Sequence, residues 1–319
     1  MKRMAVLTSG ADAPGMNAAI RAVVRSGIYN KIEMIGVKGG FEGILEERLE
    51  SMDAASVGSI MQRGGTILQS SSCEKMFTEE GQKKAQSILH KYEIDSVVVI
   101  GGKEALQAAA LLEKTGLACI GIPATIDNDV PGVTETIGFD TALNTVVDYM
   151  DRIRDTASSH EKTSIIEVMG KDTGNLALWA GLAGGAENIL IPEKREDLHS
   201  IIEEIKQGGT REKRYRIIVV AEGMMSGAVL HEKLTKEAGI ESRVTSLGHI
   251  QRGGAPTARD RIFASRLGAF AVDLLLEGKT GQLVTVQDRQ LVNLSLEDTL
   301  EQRIEMDESV YQLPKKLSI

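Results

Sequence analysis

Short runs of branched apolar residues alternate along the chain with longer stretches in which apolar residues recur every three or four positions. The short runs predict strands at 4–8, 32–37, 96–100, 118–122, 163–169, 188–191, 215–220 and 283–287. The longer stretches predict helices at 16–29, 79–91, 103–115, 140–157, 174–183, 196–207, 227–238 and 257–277. Strands that alternate with helices in this way predict an α/β fold with mainly parallel sheets covered by helices.

Ligands of parallel α/β sheets bind at the carboxyl ends of the strands, so the residues that follow each strand are the first candidates for a site. The stretch "VVVIGGKEALQAAA" at 97–110 has the strand, tight turn and helix start that suit a phosphate. However, the turn contains Lys103 and Glu104 instead of further glycine, serine or aspartate. Whether this turn binds a phosphate is therefore open on the local pattern alone.

Composition narrows the class of protein. The chain has 319 residues, 42% of them hydrophobic and 26% charged, which is typical of a soluble globular protein with one large or two ordinary domains. The net charge of −8 and the absence of a long basic block argue against nucleic-acid and membrane partners. Cys73 and Cys119 have no metal-site spacing, and the apolar run at the N-terminus is too short for a signal peptide. A cytoplasmic location is expected.

Two carboxylates follow the predicted strand at 118–122. In "PATIDNDVPG", Asp127 and Asp129 lie two residues apart, with Thr125 just before them. Paired carboxylates at a strand end suit a general base together with a metal-binding or orienting group. The same residues are also typical of a turn in which Asp and Asn bond to their own backbone, and the spacing does not separate these interpretations.

Three further groups of cations are candidates for anion binding. Arg21 and Arg25 lie at i and i+4 of a predicted helix, where like charges repel unless an anion lies between them. Arg154 belongs to another predicted helix, and "SLGHIQRGG" contains His249 and Arg252 beside a Gly-Gly turn. A solvated surface arginine and a buried structural histidine are the alternatives.

Together these stretches resemble the bacterial ATP-dependent 6-phosphofructokinase family along essentially the whole chain. The resemblance is carried by "LTSGADAPGMNAAIRAVVR" near the start, "TIDND", "IGFDTALNT", "IRDTASSHE", "IEVMG", "LAGGAE", "VAEG" and "LGHIQRGG". It implies two doubly wound α/β domains, a larger one of 1–138 and 251–301 and a smaller one of 139–250 and 302–319. It also implies a tetramer and transfer of the terminal phosphoryl group of MgATP to the 1-hydroxyl of fructose 6-phosphate.

The resemblance also implies roles for individual residues. The acidic loop would supply the general base, Asp127, with Thr125, Asp129 and Lys171 positioning the reacting groups. The sugar-phosphate site would consist of Met169, Glu222, His249 and Arg252, with Lys162 and Arg243 reaching in from the neighbouring subunit. Lys162 stands where the family usually has arginine, and a lysine lacks the bidentate fork, so weaker substrate binding is expected. The effector site, for ADP or phosphoenolpyruvate, would consist of Arg21, Arg25, Arg154, Glu187, Arg211 and Lys213.

The nucleotide side departs from the family pattern. The family typically reads Gly-Gly-Asp-Gly-Ser where this chain has Gly101, Gly102, Lys103, Glu104 and Ala105. Mg²⁺ prefers oxygen ligands, which Lys103 does not offer, and Glu104 adds a negative charge beside phosphate. Two like charges about 4 Å apart repel by about 4 kcal/mol at an effective dielectric constant near 20. The expected nucleotide site, Gly10, Ala11, Ser72, Cys73, Gly102, Lys103, Glu104 and Ala108, also lacks a family glycine at 11 and 108 and a family arginine at 72.

These departures lead to the interpretation that no metal binds at the active site and that ATP-dependent transfer is weak or absent. The chain would then bind fructose 6-phosphate and an effector as a regulatory subunit, in a homotetramer or with an active paralogue. The alternative is an active 6-phosphofructokinase in which Lys103 neutralises phosphate charge in place of a metal. Pyrophosphate dependence is a weaker alternative because Ala124 stands where those relatives have lysine, and the matching acceptor residues argue against a different phosphoryl acceptor.

Overall fold

The computed structural model describes residues 2–160, 162–194, 199–200, 202–203, 216–304 and 306–317. The chain divides into two compact units. The first unit consists of Met1–Thr141 and Arg252–Ile304, and the second of Ala142–Gln251 and Glu305–Ile319. Assigning the nucleotide to the first unit and the sugar phosphate to the second remains a prediction.

The first unit is built on a seven-stranded sheet in the order β11-β10-β5-β4-β1-β2-β3. Its strands are β1 (Arg3–Ser9), β2 (Glu33–Val37), β3 (Leu49–Met52), β4 (Ser96–Gly101), β5 (Ala118–Pro123), β10 (Gln282–Gln287) and β11 (Gln290–Ser295). The five inner strands are parallel, whereas β3 and β11 at the two edges are antiparallel to their neighbours. Every residue of β4 is buried, as expected of a strand with both faces covered.

Helices cover both faces of this sheet. They are α1 (Met16–Tyr29), α2 (Gly40–Leu45), α3 (Glu79–Lys91), α4 (Lys103–Glu113), α8 (Ala258–Leu276) and α9 (Leu296–Leu300). The first of these, α1, packs against α8, where an added Cβ at Gly268 would lie 2.7 Å from the Ala22 Cβ atom. A core formed by β1, β4, α3 and α4 lies under the other face.

The second unit has a four-stranded parallel sheet in the order β7-β8-β6-β9. Its strands are β6 (Thr163–Val168), β7 (Asn188–Leu190), β8 (Arg216–Ala221) and β9 (Ser242–Ser246). Its helices are α5 (Phe139–His160), which begins in the first unit, and α6 (Asn175–Ala183), α7 (Gly227–Lys233) and α10 (Glu308–Leu317). No helix of the described residues is long and apolar enough to cross a bilayer.

The predicted α/β class with mainly parallel sheets is confirmed, and each predicted strand corresponds to an observed one. Three strands were not predicted: β3, β9 and β11, which carry partly exposed residues without an apolar run. The helix predicted at 227–238 ends at Lys233 and continues as one π-helical turn, Leu234–Ala238. Most of the helix predicted at 196–207 lies outside the described residues.

Candidate active site

Three turns meet at the carboxyl edge of the first sheet because β1, β4 and β5 are parallel neighbours that end at the same level. Ser9 pairs with Gly101, and Gly101 pairs with Pro123. The chain after Ser9, the turn at Gly102 and the loop from Ala124 to Asp129 therefore leave the sheet side by side. An added Cβ at Gly102 would lie 3.5 Å from the Thr125 Cβ atom, which shows how closely the last two approach.

The acidic loop, residues 124–129, is fixed by hydrogen bonds within the loop and to Thr134 and Thr136. Thr125 Oγ1 accepts a hydrogen bond from the Asp127 amide at 3.2 Å, and its carbonyl accepts one from Thr136 Oγ1 at 2.6 Å. Asn128, with φ of 50°, donates to the Thr134 carbonyl at 3.1 Å and accepts from the Thr136 amide at 2.9 Å. The loop thus has the Asx-type bonding expected of a structural turn, and it also holds Asp127 and Asp129 half-buried at the strand edge.

The chain that follows, residues 134–141, forms the stem of the acidic loop and is bound to α8 by Asp260. This carboxylate is fully buried and accepts hydrogen bonds from the Gly138 amide, the Thr141 amide and Thr141 Oγ1 at 2.9, 2.9 and 2.5 Å. Burial raises the pKa of Asp260 to about 6 although these three donors oppose the shift. The acidic loop is therefore held at both ends.

The turn after β4 is built differently. An added Cβ at Gly101 would lie 2.4 Å from the Ser9 carbonyl oxygen, so only glycine fits beside β1. Gly102 precedes α4 without a side-chain cap, which leaves the first amides of this helix available to an anion. The Lys103 side chain is half-buried and Glu104 is exposed, and no ion pair involves either residue among the described ones.

A small cavity of about 40 Å³ lies beside this turn. It is lined by Ser9, Gly10, Phe41, Ser72, Cys73, Glu74, Phe77, Glu104, Ala105 and Ala108. Gly10 has a φ of 81° and is bonded on both sides to the 70–71 segment, which places Ser72 near the end of β1. Burial and a hydrogen bond to Glu42 raise the pKa of the Cys73 thiol, so this cysteine is a protonated wall residue.

Mg²⁺ in phosphoryl-transfer sites is usually bound by one or two carboxylates, with phosphate and water supplying the remaining oxygens. The two aspartates of the acidic loop meet that requirement, although no cluster of three or more His, Cys, Asp or Glu that could hold a metal occurs within the described residues. Lys103 follows Gly102, which lies against Thr125, so its ammonium adds positive charge on the same edge. The residues fit a magnesium ion held mainly by the phosphates of a nucleotide.

The second unit brings together another group of predicted residues at the carboxyl edge of its sheet. Met169 follows β6, and its amide donates to Gln251 Oε1 at 3.3 Å. An added Cβ at Gly223 would lie 1.9 Å from the Lys171 carbonyl oxygen, so the chain after β8, with the exposed Glu222, lies against the chain after β6. His249 belongs to the 3-10 turn Gly248–Arg252, which follows β9. Its side chain is also exposed.

Two predicted residues lie at the opposite edge of the same sheet. Arg243 is level with Ser164 at the start of β6, and Lys162 directly precedes this strand. At about 3.3 Å per residue, the length of β6 separates them from Met169 by roughly 20 Å. Lys162 forms an ion pair with Glu241 at 2.8 Å. These two cations therefore do not join Met169 and Glu222 within one chain.

The structure describes four of the six predicted effector residues. Arg21 and Arg25 lie on α1, and an Nη atom of Arg25 donates to the Ala54 carbonyl at 3.4 Å. In the second unit, Arg154 donates to the Gly184 and Gly185 carbonyls, and Glu187 accepts from the Ile217 amide at 2.8 Å. The other two predicted residues, Arg211 and Lys213, lie outside the described residues.

The family model described as "Phosphofructokinase" matches residues 3–275. The chain belongs to the phosphofructokinase family. It is 53% identical to the ATP-dependent 6-phosphofructokinase of Bacillus licheniformis, 54% to that of Brevibacillus brevis and 52% to that of Bacillus subtilis. Each alignment has 319 residues and covers 100% of this chain and of the relative.

Solved phosphofructokinases share the fold. The Pichia pastoris phosphofructokinase in the T-state matches with a TM-score of 0.89 and 31% identity over 94% of this chain, which spans 35% of the Pichia chain. The pyrophosphate-dependent phosphofructokinase of Marinobacter aquaeolei matches with a TM-score of 0.87 over 96% of this chain and 86% of its own. Its identity of 21% supports the fold alone.

The expected loss of kinase activity is wrong. Relatives named ATP-dependent 6-phosphofructokinases match this phosphofructokinase from end to end at just over half identity, which supports the active enzyme over a regulatory subunit. The physical reason lies in the exposure of Glu104, whose charge is screened by water and counter-ions. The repulsion expected from a carboxylate at 4 Å from phosphate therefore does not apply. The Lys103 ammonium is positively charged and therefore attracts phosphate.

Sequence reasoning missed three residues that shape these sites. Gln251 is fully buried and binds the Met169 amide, while Asn128 and Thr136 fix the acidic loop. A signal existed for Gln251, which lies between His249 and Arg252 in "LGHIQRGG". Thr136 had no local signal because its partner, the Thr125 carbonyl, lies eleven positions away.

Proposed function

We propose that this phosphofructokinase is an active kinase that transfers the terminal phosphoryl group of ATP to the 1-hydroxyl of fructose 6-phosphate. The observation that carries the proposal is full-length identity of 52–54% to relatives named ATP-dependent 6-phosphofructokinases. The acidic loop at the carboxyl edge of the first sheet agrees with it, because a carboxylate held firmly at a strand end suits a general base.

In the proposed reaction Asp127 accepts the proton of the 1-hydroxyl as the sugar oxygen attacks the γ-phosphorus. A new P–O bond forms to the sugar, and the bond between the γ-phosphorus and the β,γ-bridging oxygen breaks. The electron pair of that bond leaves with ADP. The Asp127 amide is bound to Thr125 and the neighbouring Asn128 is bound to the stem, so the backbone that carries the carboxylate is in place before the substrate binds.

The donor phosphates are proposed to bind at the turn after β4. The uncapped amides of α4 point to this edge, and the Lys103 ammonium adds a full positive charge beside them. If Mg²⁺ binds together with the nucleotide, it would neutralise part of the phosphate charge, and Asp129 is a candidate carboxylate to hold it. The nucleoside would lie beside Ala105 and Ala108. The cavity of about 40 Å³ there is too small to hold it and would have to widen, for example by movement of Phe77, which is about half exposed at its rim.

The sugar phosphate is proposed to bind at the carboxyl edge of the second sheet. Glu222 would accept hydrogen bonds from sugar hydroxyls, while His249 and Arg252 would donate to phosphate oxygens. Lys171 would help to position the reacting groups. Arg252 suits this role because its Nε atom is buried without a hydrogen-bond partner among the described residues. Lys162 and Arg243, at the opposite edge, would serve the site of a neighbouring subunit, which requires an oligomer.

The residues proposed for an effector are Arg21, Arg25, Arg154 and Glu187, together with Arg211 and Lys213. Support comes from the pair on α1, which presents two like charges at i and i+4. Such a pair favours an anion between its members. ADP and phosphoenolpyruvate are the effectors that the sequence predicts.

The test is formation of fructose 1,6-bisphosphate from fructose 6-phosphate and MgATP by the purified protein, with product identity read by ³¹P NMR. The Asp127→Asn variant at the same concentration is the control for a contaminating kinase. We expect turnover within the ordinary range for kinases, roughly 1–100 s⁻¹, and loss in the variant. Equal slow rates in both proteins would contradict the proposal. Replacement of ATP by pyrophosphate tests the other donor in the same assay.

A further inference from the structure

A groove of about 630 Å³ lies in the first unit, and the proposed reaction does not use it. We call it the hairpin groove. It is bounded by α8, by the tip of the β10–β11 hairpin, and by Thr134 and Glu135 of the stem. This volume is within the range of about 300–1,000 Å³ that is usual for small-molecule sites.

The α8 wall has apolar residues between cations. Arg259, Ile262, Phe263 and Arg266 are spaced at i, i+3, i+4 and i+7, so they share one face of the helix. Ile262 is 62% exposed, so its side chain is available to a ligand in the groove. The two arginines are separated by about 10 Å along the helix axis. This wall fits a ligand with an apolar middle and a negative charge.

The hairpin tip adds a third arginine. Asp288 and Arg289 both have positive φ, at 48° and 67°, in a tight turn without glycine. A left-handed backbone conformation costs a non-glycine residue about 1–2 kcal/mol. Strain of this kind is often retained where a side chain must be held in place. Arg266 donates to the Arg289 carbonyl at 3.1 Å, which joins the tip to α8. Within the described part of the chain, neither Arg266 nor Arg289 forms an ion pair with a carboxylate.

The third wall is the stem of the acidic loop. Glu135 makes a bidentate ion pair with Arg259, with N–O distances of 2.8 and 2.6 Å. The adjacent Thr134 carbonyl accepts the hydrogen bond from Asn128, next to Asp127. A ligand whose apolar part lies on Ile262 and Phe263 would be next to this ion pair. A shift of Glu135 would act on the acidic loop through Thr134.

We propose that the hairpin groove binds an organic anion with a flat apolar part, and that its occupancy changes the position of the acidic loop. The apolar part lies on Ile262 and Phe263, and the anionic group lies between Arg266 and Arg289. This site uses none of the residues assigned to ATP, to fructose 6-phosphate or to the predicted effector.

The probe is 1-anilinonaphthalene-8-sulfonate, which is flat, apolar and anionic. Equilibrium dialysis counts the probe bound per chain in the full-length protein, in Arg266→Glu and in Arg303→Glu. Arg303 is an exposed arginine of the same unit outside the groove, so its variant matches the change of charge. We expect the dissociation constant of one class of site to rise at least tenfold in Arg266→Glu and to stay unchanged in Arg303→Glu. Identical binding by the three proteins would overturn the proposal.

An Ile262→Ser variant tests the apolar part separately, and it is expected to weaken the same class of site without unfolding because Ile262 is exposed. AMP and benzoate are then used as competitors. Displacement by AMP alone shows that phosphate is required, and displacement by both shows that an anionic ring is sufficient. Displacement by neither at millimolar concentration would contradict a site for organic anions. A change in sedimentation coefficient in Ile262→Ser would instead identify a subunit contact and overturn the proposal.

Coupling to the acidic loop has its own readout. We expect the probe to change the rate of phosphoryl transfer at least twofold in the wild-type protein and in Arg303→Glu, but not in Arg266→Glu. Binding without any such change would refute the coupling. If the protein has no kinase activity, the proposed function fails, while the dialysis experiment still decides whether the groove binds the anion.

Discussion

The two turns that follow β4 and β5 lie next to each other but are held very differently. The acidic loop after β5 is fixed by Thr136, by Asn128 and, through its stem, by the buried Asp260. The turn after β4 is held through its backbone, where Gly101 passes Ser9 and its carbonyl accepts a hydrogen bond from the Ala124 amide at 2.9 Å. Its side chains are less enclosed, because Lys103 is half-buried and Glu104 is exposed. A substitution at an exposed helix start changes local charge, whereas a substitution in the acidic loop removes support from several buried groups.

The largest effect is expected from Asp127→Asn, which keeps the shape of the side chain but cannot accept the proton. We expect kcat to fall by roughly 10²–10⁴-fold, the usual contribution of a general base, with little change in KM. Steady-state kinetics with both substrates measures this effect. A fall of less than tenfold would remove Asp127 from the proposed role.

Asp260 tests whether the stem supports the acidic loop. Its pKa of about 6 in the folded protein exceeds its ordinary value of 3.8, so the folded state binds the proton more tightly. The stabilising contribution is therefore complete below about pH 4 and is lost as pH rises towards and above 6. We expect the unfolding free energy of the wild type, relative to Asp260→Asn, to decrease by roughly 3 kcal/mol between pH 4 and 7. Urea titrations at each pH measure it, and parallel curves for the two proteins would contradict the buried-carboxylate account.

Asn128→Ala removes the side-chain hydrogen bonds to Thr134 and Thr136 of the stem. It also replaces a residue type that tolerates the φ of 50°. We expect a loss of about 1–3 kcal/mol in unfolding free energy and a clear decrease in kcat. The control is Asn128→Gly, which permits the backbone conformation but lacks the hydrogen bonds. If Asn128→Gly has the same kcat as the wild type, the backbone conformation at residue 128, and not its hydrogen bonds, positions Asp127.

The smallest effect is expected from Glu104→Gln in the other turn. Because Glu104 is exposed, removal of its charge should lower KM for ATP only two- to fivefold, equivalent to less than about 1 kcal/mol, and added salt should reduce the difference. Initial rates at several salt concentrations measure this, with the exposed Glu80→Gln on α3 as the matched control. A change of a hundredfold or more would show that Glu104 lies against the phosphates.

The same contrast explains what the sequence predicted well. Buried strands such as β1 and β4 contain continuous apolar runs, so the pattern was sufficient to predict them. The roles of the residues that follow these strands remain predictions. Strand β9 has mostly exposed polar residues and depends on pairing with β6, which no local pattern records. Asp260 binds groups 119 and 122 positions away, so its contribution was visible only after folding.

The error at Lys103 and Glu104 has a different cause. The predicted effect assumed a charge fixed about 4 Å from phosphate and an effective dielectric constant near 20, whereas a side chain in water is screened by a dielectric constant near 80 and by salt. Exposure of a side chain depends on how α4 leaves the sheet, and residue identity alone does not determine this. The resemblance therefore predicted the family and the fold correctly, whereas the consequence inferred from these two departures was wrong.

The central claim is that the acidic loop, and not the identity of residues 103–105, determines whether phosphoryl transfer occurs. The direct test compares kcat of the wild type with kcat of a triple variant, Lys103→Asp with Glu104→Gly and Ala105→Ser, which carries the residues typical of the family. We expect the two values to agree within about tenfold, since exposed charges near a site contribute about 1 kcal/mol or less. A wild type that is a thousandfold slower than the triple variant would contradict the account.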